Sequence, residues 1–241
     1  MPSLPLLAPD PVGFPDPHHA LAEPDGLVAA GGALTVEWLL TAYAHGIFPW
    51  FDSDDEHVLW WSPARRAVIT PGQMRRSRSL TKRIRNAGFD VRVDSAFESV
   101  VAGCSGPRSR ADGTWITPAM RKAYGQLHHA GFAHSVEVWQ ADQLVGGLYG
   151  VSLGRYFFGE SMFSRVSDAS KVAFHALHVQ LQAWEFHLID CQLQNPHLAS
   201  LGVIEIPRSE FLADLARNPL ERTKTGPWPL HESLAKLAAS V

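Results

Sequence analysis

Three segments of this chain set acids, amides and hydroxyls among apolar neighbours: Gly113-Thr114-Trp115-Ile116-Thr117, Gly159-Glu160-Ser161-Met162-Phe163-Ser164 and Ile189-Asp190-Cys191-Gln192-Leu193-Gln194-Asn195. Each would bring such groups to the end of a predicted strand, a common place for ligand-binding residues. Carboxylates there can hold ammonium groups or handle protons, and an amide can donate and accept at once. On a regular strand Asp190 and Gln192 point to the same side. An Asp closing a buried strand is also a common turn or cap residue, so spacing alone leaves both readings open.

Other constellations are weaker. The chain has 12 His, and His175 and His178 share a predicted helix face, but no third ligand follows at recognisable spacing. No metal is expected. Cys104 and Cys191 are too few for a disulfide framework and read as packing residues of a reduced compartment. The formal net charge of -3 hides an asymmetry: residues 1–64 carry nine Asp or Glu and no Lys or Arg. From Ser62 to Phe89 there are eight basic residues and no acidic one. Arg75, Arg78, Lys82 and Arg85 lie at helical spacing within that block, as a stripe following a phosphate backbone would. A solvated helix face accounts for the same charges.

The elements that must position these groups follow from capping and periodicity. With 46% hydrophobic residues the chain can bury a sizeable core. Its Pro- and Asp-rich first 25 residues read as an extended lead-in. Thr35 caps a predicted helix that runs to His45, with Trp38, Leu39, Ala42 and Tyr43 on one face and Gly46 closing it. Four large aromatics between Phe48 and Trp61 make either a core plug or a stacking platform. Further on, helices are predicted near Leu80–Ala87, around Phe97–Cys104 and from Thr117-Pro118 to Ala130. Strands are predicted at Phe89–Val93, His134–Gln140, Leu144–Gly150 and Arg155–Gly159. Asp168 is read as the cap of a long helix, followed by strands at Leu188–Cys191 and Val203–Ile206 and a helix from Ser209. The fold class is therefore α/β (α+β), with a small N-terminal α/β domain (1–64) and a mixed-sheet domain (65–241) built on an antiparallel meander. No secretory leader or membrane span is legible, so a cytoplasmic protein is expected, with a monomer as the default.

Taken together, several blocks resemble the leucyl/phenylalanyl-tRNA–protein transferases. They are Gly46-Ile47-Phe48-Pro49-Trp50-Phe51, Leu59-Trp60-Trp61-Ser62-Pro63, Gly113–Thr117, His134–Trp139, Leu144–Gly147, Gly159–Arg165, Ala169-Ser170-Lys171 and Ile189–Gln192, in order through about residues 14 to 215. The resemblance implies a GNAT-like second domain. It also implies transfer of leucine or phenylalanine, and often methionine, from aminoacyl-tRNA to proteins beginning with Arg or Lys, which are thereby marked for degradation. Residues matching Asp190 and Gln192 are associated with catalysis, and Glu160 matches a site glutamate suited to an ammonium or guanidinium group. Trp50 and Trp115 match positions that meet the terminal adenosine. Leu148, Phe157, Met162, Phe174, Leu177 and Ile189 are the candidate wall of the donor pocket, with Leu177 standing where a phenylalanine is familiar.

The chemistry sets limits on these roles. Aminoacyl-tRNA is already an activated ester, so positioning supplies much of the catalysis. An α-amine of pKa 7.7–8.0 costs only about 1 kcal/mol to deprotonate at pH 7, and an ordinary carboxylate is about four units too acidic to hold its proton unless burial raises it. Asp190 is therefore read as orienting and electrostatic, Gln192 as an acceptor for the attacking amine, and the proton's destination stays open, with the terminal ribose hydroxyl among the choices. A coenzyme A enzyme of the GNAT class needs Gln/Arg-x-x-Gly-x-Gly/Ala, and Gln143–Leu148 lacks that spacing. No cofactor is expected. A nonenzymatic RNA-binding module would explain the basic block but leave Glu160, Asp190 and Gln192 without a purpose.

Overall fold

The computed structural model describes residues 4–54, 57–106, 116–232 and 234. Thr35 accepts from the Trp38 backbone N–H and starts α1 (Val36–Ala44), which buries Trp38, Leu39, Ala42 and Tyr43. Gly46, at φ +71, turns the chain out of the helix as a residue without Cβ can. Short strands flank it: β1 (Leu6–Leu7), β2 (Leu27–Gly31), β3 (Phe48–Pro49) and β4 (Leu59–Trp61). Among the described residues they form a four-stranded sheet of order β1-β2-β4-β3.

The lead-in is extended but packed, which its composition did not suggest. β1 pairs in parallel with β2, Trp38 Nε1 donates to the Pro9 carbonyl at 3.0 Å, and the Phe14 ring meets Trp38 and Trp60 edge-on. The aromatic block divides. Phe48, Phe51 and Trp60 plug the core, while Trp50 stays 39% exposed against Trp61, ring centroids 5.6 Å apart.

The second sheet has seven strands among the described residues, in the order β11-β5-β10-β9-β8-β7-β6. These are β5 (Arg65–Ile69), β6 (Asp90–Val93), β7 (Ala133–Gln140), β8 (Gln143–Leu153), β9 (Tyr156–Ser164), β10 (Leu188–Gln192) and β11 (Ile204–Pro207). β6 to β9 run antiparallel, and β10 then lies parallel to β9. This is a mixed α+β architecture, as expected. The parallel pair requires a crossover, supplied by α5 (Ala169–Ala183). The remaining helices are α2 (Arg78–Asn86), α3 (Phe97–Cys104), α4 (Pro118–His129), α6 (Pro196–Ser200) and α7 (Arg208–Leu215).

Two local expectations differ from the structure. β9 continues to Ser164, so Glu160 lies inside a strand rather than at its end. Asp168 precedes α5 but sits at φ 68 and makes no capping bond, its carboxylate being 2.7 Å from Lys171 Nζ instead. One core cluster joins Trp38, Tyr43 and Trp60 to Tyr124, Tyr149 and Phe158, so the two sheets share buried surface. A second cluster packs α5 on the other side, through Phe157, Phe174, Leu177 and Ile189.

Candidate active site

β9 and β10 pair through Leu188↔Tyr156, Ile189↔Phe157 and Asp190↔Phe158, and no further. Both strands bulge immediately beyond. On β9, Glu160 is the extra residue between the pairs Gly150↔Gly159 and Tyr149↔Ser161. On β10, Cys191 is the extra residue between Asp190↔Val68 and Gln192↔Ala67, and Gln192 takes the left-handed φ of 62. Bulges redirect side chains and end pairing, and here the two strands part. The simple alternation assumed for Asp190 and Gln192 therefore fails, although their side chains serve one site.

A cavity of about 230 Å³ opens at this parting. Its wall includes all six apolar candidates, Leu148, Phe157, Met162, Phe174, Leu177 and Ile189, together with Glu160. Leu193, Asn195, His197 and Leu198 complete it from the segment after β10, a contribution sequence reasoning missed. Asn195 also caps α6 by accepting from the Leu198 N–H at 2.9 Å, and Asn followed by Pro was the signal for that turn.

Glu160 is the centre of the polar cluster. Its Oε1 accepts from Tyr43 OH at 2.7 Å and from Gln192 Nε2 at 2.8 Å, and its Oε2 accepts from Tyr124 OH at 2.8 Å. The two phenolic oxygens are 2.5 Å apart. Burial lifts Glu160 to about 7, against the pull of its hydrogen-bond donors. Burial also holds both tyrosines well above their usual range, the nearby Glu160 charge adding to it, so they remain donors. By fixing the Gln192 amide nitrogen, Glu160 directs the amide oxygen away from itself. Neither tyrosine was singled out for chemistry, though a tyrosine on a buried helix face needs a partner for its hydroxyl.

Asp190 is fully buried and does not reach the cavity wall. Arg66 grips it in a fork, Nε to Oδ1 at 2.8 Å and Nη2 to Oδ2 at 2.6 Å, while Gln192 N–H donates to Oδ1 at 2.8 Å. Arg66 donates in addition to the Gly46 carbonyl at 3.0 Å and lies over the Phe48 and Phe211 rings. It leaves the surface basic block altogether, and the signal was an arginine leading into the buried run Ala67-Val68-Ile69. Asp190 thus acts on the cavity through Gln192, whose backbone it anchors.

The remaining candidates lie elsewhere. Trp50 is outside the cavity wall, and Trp115 falls outside the described residues. Arg78, Lys82 and Arg85 line a shallow depression on α2 with Arg76, Thr81 and Asn86. Arg75 precedes the Ser77 cap and is bound through its backbone to Leu201, so it is not part of the helical stripe. His175 and His178 are drawn apart in function: His175 faces Arg76, and His178 Nδ1 accepts from Gly72 N–H at 3.0 Å. Gln143–Leu148 lies within β8, not at a helix start.

Comparison with known proteins gives the chemistry its setting. Residues 68–216 match the family model for leucyl/phenylalanyl-tRNA protein transferase, and residues 32–64 match the model for its N-terminal domain. A leucyl/phenylalanyl-tRNA–protein transferase of Thiobacillus denitrificans is 55% identical over 215 residues, covering 89% of this chain and 94% of its own. One from Chromohalobacter salexigens is 55% identical over 226 residues, covering 94% and 88% respectively. No helix among the described residues is long and apolar enough to cross a membrane. With most of its length matched on both counts, the chain belongs to the leucyl/phenylalanyl-tRNA–protein transferase family, and is an aminoacyltransferase.

Proposed function

We propose that the chain transfers leucine or phenylalanine, and also methionine, from aminoacyl-tRNA to the α-amino group of proteins beginning with Arg or Lys, marking them for N-degron proteolysis. The observation that carries this reading is an apolar cavity of about 230 Å³ with a carboxylate in its wall and an amide beside it. A dry cavity of roughly 150 Å³ accepts benzene, so an isobutyl or benzyl side chain fits this one. Glu160 and Gln192 then face the ester carbonyl end. Gln192 offers its amide oxygen to the amine and Asp190 holds Gln192 in register. Trp50 and Trp115 stack on the terminal adenosine, a contact worth about 1–3 kcal/mol per base.

The basic depression formed by Arg78, Lys82 and Arg85, with Arg75 nearby, takes tRNA phosphates, which position without specifying. Residues 1–64 form the N-terminal domain and residues 65–241 the GNAT-like one, a division supported by the change of sheet between Trp61 and Arg65. The protein works as a monomer in the cytoplasm, where charged tRNA is made. The test is transfer of labelled leucine from leucyl-tRNA to an Arg-starting peptide. Transfer to that peptide and not to a Glu-starting one is expected, and absence of transfer refutes the reading.

A further inference from the structure

An acceptor α-amine of pKa 7.7–8.0 arrives at neutral pH mostly as ammonium, without the lone pair that attacks an ester. We propose that Glu160 takes the proton from this ammonium, with Tyr43 and Tyr124 holding its carboxylate ready; the proposal rests on the aminoacyl-transfer reading above. The geometry carries it. Glu160 is 8% exposed and belongs to the cavity wall, and among the described residues it has no ion-pair partner. Its contacts are neutral donors, two phenols and one amide, so the place of a cation beside it is left for a substrate.

The surrounding titratable groups favour the same assignment. Tyr43 comes from α1, Tyr124 from α4, Tyr149 from β8, and Asp190 and Cys191 from β10, with His197 at the cavity rim. The tyrosines stay neutral, and burial pushes the Cys191 thiol far up, so neither type competes as a base near pH 7. Asp190 is occupied by Arg66 and out of reach of the cavity. Burial brings Glu160 to about 7, within about a unit of the amine, which makes the proton transfer nearly level. Asp190, the other nearby anion, adds to that rise.

The steps balance. One ammonium proton passes to the Glu160 carboxylate, and the freed nitrogen bonds to the carbonyl carbon. As the ester C–O bond breaks, a second N–H proton ends on the departing ribose oxygen. Glu160 then releases its proton to solvent. Net, ammonium and ester become amide, alcohol and one proton.

This mechanism starts from ammonium and carboxylate, so kcat/KM for an Arg-starting peptide should be bell-shaped, with an acid limb near pH 7 and a basic limb near 8. Uncatalysed ester hydrolysis is subtracted at each pH. Glu160→Gln should lower transfer by about 10²–10⁴-fold and lose the acid limb, its residual rate climbing to a plateau with the neutral amine. A wild-type profile that rises to a plateau above pH 8, or a Glu160→Gln variant with undiminished transfer, overturns the proposal and leaves the aminoacyl-transfer reading standing. Wild-type enzyme inactive at every pH overturns both. Should Glu160→Gln not fold, Glu160→Asp keeps an ionisable group in altered surroundings. Its acid limb should move, and a limb left in place belongs to another residue.

Discussion

Replacing Arg66 by Met tests the buried framework most directly. Its side chain and that of Asp190 are 1% and 0% exposed, and the substitution leaves the carboxylate without its cation in a dry setting. Breaking such a pair costs about 3–5 kcal/mol, and the lost contacts over Phe48 and Phe211 add to that. Against a total stability of about 5–15 kcal/mol, this is a large fraction. Arg66→Met with Asp190→Leu removes both charges, and the main residual cost is the unpaired Gln192 N–H, about 1–3 kcal/mol. The double variant should therefore be roughly 2 kcal/mol more stable than the single one in urea unfolding followed by tryptophan fluorescence. Leucine transfer should stay low in both, because the Gln192 backbone, held at φ 62, has lost its anchor. A single variant within 1 kcal/mol of wild type would refute the buried-charge argument. A double variant that regains transfer as well would refute the positioning role of Asp190.

Other perturbations separate other roles. Leu177→Phe should narrow the cavity and penalise transfer from phenylalanyl-tRNA more than from leucyl-tRNA, whereas an unchanged ratio with stability lowered by about 1–3 kcal/mol would mean simple overpacking. Neutralising Arg78, Lys82 and Arg85 together should weaken binding of different aminoacyl-tRNAs about equally and flatten the salt dependence; an unchanged slope would reduce the patch to a solvated surface. Glu160, raised by burial from 4.5 to about 7, keeps a proton in the native state that the unfolded chain releases, so it contributes a loss of stability as pH rises through that window. Glu160→Gln should remove that slope, and an identical stability profile in the variant would contradict the shift. His178, lowered by burial from 6.5 to about 3, works in the opposite sense, costing stability as pH falls below 6.5, and His178→Gln should lessen acid sensitivity in the same measurement.

What was legible in the sequence was local or carried by resemblance. Thr35 and Thr117 cap through bonds three residues away, and Gly46, Gly88 and Gly131 follow their helices at positive φ, so each signal lay within one turn. Asp168 carried the same composition signal and misled, because the left-handed backbone turns its carboxylate away from the helix N–H groups. The β2 strand Leu27–Gly31 is buried at every position and shows no alternation to read. Arg66 and Tyr43 reach partners 124 and 117 residues away, and no short-range spacing encodes such a bond.

The least legible feature is also the one that makes the cavity. Phe157 and Met162 are five positions apart, which on a regular strand puts them on opposite faces. They line the same wall because the extra residue at Glu160 reverses the alternation between them. Across the gap, the extra residue at Cys191 lets Asp190 remain in the core while Gln192 reaches Glu160. Either bulge alone would leave one strand regular. Glu160 and Gln192 meet at 2.8 Å because both strands depart from regularity at the point where their mutual pairing ends. The hydrogen bonds given up there are between strands; those gained join α1, α4, β9 and β10 around one carboxylate. A pocket apolar along its length and polar at one end follows from that exchange.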